Sequence, residues 1–202
     1  MVNGTSEFVN QLAIAITTVV FNRSALLFAG EDGVAAVSII MYLQFLCIGI
    51  YFGFSMGLST PLGYAYGDRN FSVCRVLEKY AYRFFSIAPI ILYGCTYLLT
   101  PIGVRFFASP GSTVFNMAVS GMRLYGLGFL FSGINIFAAI RMMTYGKGYI
   151  SGMITFLRSF ALLLLFLTVL PRFLELNGIW LAVPAAEILT LIVALWTLRK
   201  KL

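Results

Sequence analysis

Six stretches of this chain are each long and apolar enough to cross a hydrocarbon layer of about 30 Å, which takes about 20 residues of helix. They run approximately over residues 8–28, 34–63, 80–101, 110–142, 149–171 and 178–198, and the segments between them hold Gly, Pro, Asp, Asn and most of the charge. Inside a bilayer every backbone amide must be satisfied within its own segment, so these stretches predict helices. The fold class expected is therefore an all-α membrane protein, a single six-helix bundle over residues 1–202. Only 10% of the residues are charged and 60% are hydrophobic, with a mean hydropathy of +0.94. A soluble domain needs about a quarter charged, so this chain cannot wet its own exterior.

Two of the stretches exceed the bilayer. At 1.5 Å per residue the second and fourth reach about 45 to 50 Å, and must tilt, bend or project. The second holds Gly49, Gly53, Gly57 and Gly63, and its Gly53/Gly57 pair is a spacing that lets another helix approach closely, in ordinary packing first of all. Ser109 before Pro110 reads as an N-cap and first-turn proline, which sets the start of the fourth helix. Between the second and third spans, Arg75, Glu78, Lys79 and Arg83 recur at three or four residues and predict an amphipathic helix on the membrane surface, for which attraction to anionic headgroups is a sufficient reason.

The net charge of +7 does not point to nucleic acid, because the basic residues lie between apolar runs. Arg69, Arg75, Lys79, Arg83, Arg141, Lys147, Arg199, Lys200 and Lys201 fall on one side, and Arg23, Arg105 and Arg172 on the other. That bias predicts a multi-pass protein of the cell membrane with both termini cytoplasmic. The residues before Phe8 lack the basic region of a secretory signal, so the first run reads as a retained helix. With no His and no paired Cys, metal, haem and iron–sulfur centres lack ligands, and no cofactor is expected. No G-x-S-x-G, no H-E-x-x-H and no aspartate cluster occurs, so no enzyme is expected either.

The residues able to do chemistry are few. Glu187 falls near the middle of the sixth stretch, three residues after Pro184, where an unpaired carboxylate costs several kcal/mol and must face a cavity or a partner. Two readings stand side by side: a structural Glu paired with Arg123 or Arg158, or a group that binds a proton, cation or substrate. In the first stretch Glu7, Asn10, Gln11, Thr17, Thr18 and Asn22 recur at helical spacing as a polar stripe that should point inward, either to neighbouring helices or to an aqueous cavity. Arg123 and Arg158 lie within reach of the headgroups and can snorkel. Asn135 and Gln44 read first as packing contacts, with Asn135 and Arg123 retained as cavity candidates.

The run Gly53-Phe54-Ser55-Met56-Gly57-Leu58-Ser59-Thr60-Pro61, followed by Tyr64-Ala65-Tyr66-Gly67-Asp68-Arg69-Asn70, resembles a characteristic stretch of multidrug and toxin extrusion (MATE) transporters. Gly30 to Ala36, Phe131 to Asn135, Leu157-Arg158-Ser159 and Gly178 to Glu187 resemble further landmarks of that family in the same order. The resemblance covers nearly the whole chain and matches the carboxy-terminal one of the family's two six-helix lobes. It implies half of an antiporter that exports organic cations and other small compounds in exchange for H+ or Na+, completed by a second lobe, either a separate chain or a parallel copy. It places Glu7 and Glu187 at acidic positions of the family, while the aspartate that some sodium-coupled relatives use in the lobe's fourth helix has no counterpart between Pro110 and Met142. The other readings are a flippase for lipid-linked saccharides, which would need a long basic groove, and a non-transporting fragment.

Overall fold

The computed structural model describes the backbone of residues 2–199 and the side chains of residues 12, 13 and 15–199. The described chain is helical with no strand. The first helix, α1 (Val2–Gly67), is broken at Gly30, whose φ of 63° and ψ of −154° suit only a residue without a Cβ. A Cβ built on Gly33 would lie 2.7 Å from the carbonyl oxygen of Ala25, so the chain folds back tightly on itself at this corner. Among the described residues, five continuous helices are consequently long and apolar enough to span a membrane, over Ala15–Gly67, Phe71–Val104, Thr113–Thr144, Gly148–Val169 and Pro171–Arg199. The difference from six is confined to Gly30: the loop expected between the first two spans shrinks to one residue, and α1 forms two arms, residues 2–29 and 31–67.

Other boundaries move for local reasons. α2 (Phe71–Val104) begins at Phe71 and not at Tyr80, because Asn70 caps it by accepting the Val73 amide at 3.3 Å. The basic segment expected as a separate surface helix is thus the first third of α2. After it, α3 (Thr113–Tyr125) starts three residues later than the Ser109-Pro110 pair suggests. Gly111 has a φ of 84°, which no helix can contain, and Ser112 supplies the cap, accepting the Phe115 amide at 3.1 Å. A 3-10 turn at Gly126–Gly128 joins α3 to α4 (Phe129–Thr144). Next come α5 (Gly148–Phe156), a π-turn at Leu157–Ala161 and α6 (Leu162–Val169), which together form one rod. The last helix, α7 (Pro171–Arg199), is interrupted at Glu175, with φ 50° and ψ −131°, so its spanning part is residues 176–199 and Glu187 stands at its centre.

The rod α3–α4 is the most buried of the five spans, and α4 packs against α1, α2, α5 and α7. Its Phe129 and Phe137 join Tyr51, Phe85 and Trp180 in the main core, and Gly121 of α3 admits the Trp180 ring, which an added Cβ would meet at 2.8 Å. A second cluster gathers Leu62, Cys74, Ala138, Met142, Ile154 and Ala194 toward the basic end. Outward-facing residues are just as apolar: Phe106 is 82% exposed and Phe45 78%. In water such a surface would aggregate, and in lipid it is the natural exterior.

Candidate functional site

Three elements bring charge and amide chemistry together in the bundle interior. α7 supplies Glu187, which is 4% exposed. α4 supplies Asn135, which is fully buried, and the π-turn supplies Arg158. The Arg158 guanidinium donates to Glu187 Oε1 from Nη2 at 2.5 Å and from Nε at 3.1 Å. Asn135 Nδ2 donates to Glu187 Oε2 at 2.6 Å and also to the Glu187 carbonyl oxygen at 2.9 Å. Three N–H donors thus converge on one carboxylate, whose oxygens are the acceptors. That also fixes the amide orientation of Asn135, because its oxygen turned toward Glu187 would set two acceptors against each other. In this orientation Oδ1 of Asn135 is buried with no donor.

The backbone explains why these groups meet. A π-turn inserts one extra residue into a helix and rotates the residues beyond it, a feature concentrated at functional sites. Here Arg158 lies within it and reaches α7. Pro184, three residues before Glu187, lacks an amide hydrogen, and the α3–α4 corner packs on it: a Cβ on Gly128 would lie 3.5 Å from the Pro184 nitrogen. Nearby, Tyr125 lies close enough to Glu187 and Arg158 to feel both charges, and it donates its hydroxyl to Gln44 Oε1. Tyr51 donates to the carbonyl oxygen of Phe129 at 2.9 Å, at the start of α4.

Of the residues singled out in the sequence, Glu187 and Asn135 meet directly. Of the two arginines weighed as partners for Glu187, the one in contact is Arg158. Arg123 instead lies over the ring of Tyr97, 4.5 Å from its centroid. Thr17 is buried and donates to its own helix at the Ala13 carbonyl, 2.8 Å away, with the Ser159 carbonyl of the π-turn at 3.3 Å. The side chains of Glu7, Asn10 and Gln11 lie outside the described residues.

A second ion pair escapes the sequence reading altogether. Glu78, expected on the surface helix beside Arg75, Lys79 and Arg83, and Arg141, expected among the charges at the membrane face, are 7% and 2% exposed and form a salt bridge. Tyr145 donates to the same Glu78 oxygen at 2.7 Å, and the Arg141 guanidinium lies 5.0 Å from the centre of the Tyr145 ring. Burial and the bond to Glu78 hold the Tyr145 phenol above its ordinary range. The missed signal was the spacing of Cys74, Glu78, Ala81 and Phe85, which puts Glu78 on the inward stripe of α2. Among the described residues no three His, Cys, Asp or Glu side chains converge as a metal site.

The family model for MatE matches residues 8–170. The chain belongs to the MatE family. Its fold is that of a MATE transporter lobe, and it is a multi-pass membrane protein. An inward-facing structure of a multidrug resistance MATE family transporter of the MOP superfamily is similar at a TM-score of 0.86 and 21% identity, and an outward-facing one at 0.84 and 22%. A MOP superfamily transporter from Pyrococcus furiosus, described as having a binding pocket of reversed polarity and a suggested different function, is similar at 0.84 and 22%. Each covers 96% of this chain, while the chain spans only 44% to 45% of each of them. No curated protein sequence matches it.

Proposed function

We propose that this chain is one lobe of an ion-coupled antiporter that exports small organic compounds, and that Glu187 is the group at which coupling ion or cationic substrate competes with Arg158. The observation behind this reading is the Arg158–Glu187–Asn135 cluster. The pair is net neutral, so it can persist in a low-dielectric interior, yet its carboxylate is the natural target for any incoming cation or proton. The unpartnered Oδ1 of Asn135 offers an acceptor beside it for an ammonium N–H, a hydrated ion or water. The coupling ion, H+ or Na+, belongs to the same proposal.

A second lobe completes the pathway. The solved MATE structures extend over more than twice this length, and on α1 the face of Gly49, Gly53 and Gly57 meets nothing within 4 Å of where a Cβ would sit, leaving room for another helix. The comparable likeness to inward- and outward-facing structures supports a lobe that rocks as a unit. The flippase reading has less support: Arg158 is paired with Glu187 and Arg141 with Glu78, which leaves Arg123, lying over the Tyr97 ring, as a single guanidinium without a carboxylate in the described interior, not a run of basic groups for a polyanionic lipid.

Expression in an efflux-deficient host tests the proposal. The chain alone should confer no drug resistance, and co-expression with a matching amino-terminal lobe should restore some. In that pair Glu187→Gln should abolish most ion-coupled efflux at normal expression, since Gln keeps the shape and cannot carry charge. Resistance from a demonstrably monomeric product, or full efflux by the Gln variant with an unchanged pH profile, refutes it.

A further inference from the structure

α2 is longer than a bilayer is thick, and its charges show where it leaves the hydrocarbon. Residues 84–104 hold no charged side chain, about 31 Å of helix, and Arg83 and Arg105 bracket them. The turns from Phe71 to Arg83 therefore stand at and beyond the headgroup layer. Within them the helix has two stripes. Cys74, Glu78, Ala81 and Phe85 are buried against the bundle, whereas Arg75, Lys79 and Arg83, spaced four apart, are exposed.

The exposed stripe keeps its full charge. Glu78 is the one acidic residue of α2, and it is turned inward and consumed by Arg141 and Tyr145. The two salt bridges among the described residues are Glu78 with Arg141 and Glu187 with Arg158, so Arg75, Lys79 and Arg83 have no carboxylate within ion-pair distance there. Asp68, in the turn before α2, is offset by its neighbour Arg69, and both are exposed. Tyr80, 58% exposed, and Tyr82, 40% exposed, sit among these basic residues, as aromatic side chains do at a membrane interface.

From this geometry we infer that the Arg75–Lys79–Arg83 stripe is a binding surface for the phosphodiester headgroups of anionic phospholipids. The buried Glu78–Arg141 pair is part of the device: it removes from the stripe the one acidic group of α2 that would neutralise it. The inference rests on the membrane-spanning fold and is independent of what, if anything, the chain transports.

The full chain, reconstituted in phosphatidylcholine vesicles with trace spin-labelled phosphatidylglycerol or spin-labelled phosphatidylcholine, gives the test by electron paramagnetic resonance. The wild type should immobilise phosphatidylglycerol in clear preference to phosphatidylcholine. Arg75→Gln/Lys79→Gln/Arg83→Gln should lower that preference about fivefold or more, toward none, as expected for loss of several charges at an anionic surface. Arg75→Lys/Arg83→Lys should keep it, and Arg23→Gln/Arg172→Gln, on the opposite side of the membrane, should leave it unchanged. Should the triple variant fail to reconstitute, each single Gln variant should still lower the preference. A wild type without preference, an undiminished preference in the Gln variants, or full competition by millimolar inorganic phosphate overturns the inference.

Discussion

Removing one partner of the Arg158–Glu187 pair should destabilise the protein far more than removing both. The Arg158 side chain is 12% exposed and that of Glu187 5%, so little solvent reaches the charges. In Arg158→Met the carboxylate keeps only the Asn135 amide, and in Glu187→Met a guanidinium is stranded. Breaking a buried pair by deleting one member costs about 3 to 5 kcal/mol, whereas exchanging both for apolar groups of similar volume is close to neutral. At about 2 to 4 °C per kcal/mol for a chain of this size, each single variant should lose about 6 to 20 °C in Tm, with most of it regained in Arg158→Met/Glu187→Met. Thermal unfolding of the purified chain in detergent with a thiol-reactive dye, in a background lacking the half-buried Cys47 and the exposed Cys95, is a suitable assay, because the remaining Cys74 is fully buried and reacts only on unfolding. The discriminating quantity is the coupling in the double-mutant cycle. If the losses in the single variants simply add in the double, the two side chains do not depend on each other and the structural basis of the site is wrong.

Two further outcomes rest on local geometry. Gly178→Ala should cost at least about 2 kcal/mol and split the hairpin between α6 and α7, because the added Cβ would lie 2.5 Å from the carbonyl of Leu170, which is backbone and cannot swing away; a Tm within a degree or two of the wild type would contradict the close approach. Membrane orientation can be read from cysteines placed at exposed sites in a background lacking Cys47, Cys74 and Cys95, since the native Cys74 is too buried to report. An impermeant maleimide should label Lys147→Cys only in opened cells and Arg105→Cys in intact ones, and the reverse pattern would invert the topology.

Hydropathy made the spans legible because a bilayer leaves a chain no alternative to the helix, but it located their ends poorly. Caps decided the ends: Asn70 starts α2 nine residues before its apolar run, and Ser112, aided by Gly111, overrides the Ser-Pro signal at residue 109. Glu187 stood out because a carboxylate in mid-span demands a partner, yet which partner depended on the π-turn that aims Arg158, and a local backbone insertion leaves no periodic trace. Glu78 and Arg141 were misplaced for the opposite reason. Counting charges by their distance from apolar runs assigns them to the aqueous phase, while burial depends on the side of the helix they occupy.

The two buried ion pairs share an attachment that bears on how the lobe moves. Asn135 of α4 holds the Glu187 carboxylate of α7, and Arg141 of α4 holds Glu78 of α2. Six residues of helix turn through about 240°, so these attachments lie on different sides of α4 and about 9 Å apart along it. A helix held by charge-assisted bonds on two sides and surrounded by apolar packing resists both sliding and rotation. α4 is thus the fixed member of the lobe. The freer end of the Glu187 cluster is Arg158, whose π-turn residues are all only partly buried. In the exchange proposed above, a cation or proton at the carboxylate would shift Arg158 and the α5–α6 rod, while the α4–α7 contact through the Asn135 amide and the Glu187 carbonyl could remain in place.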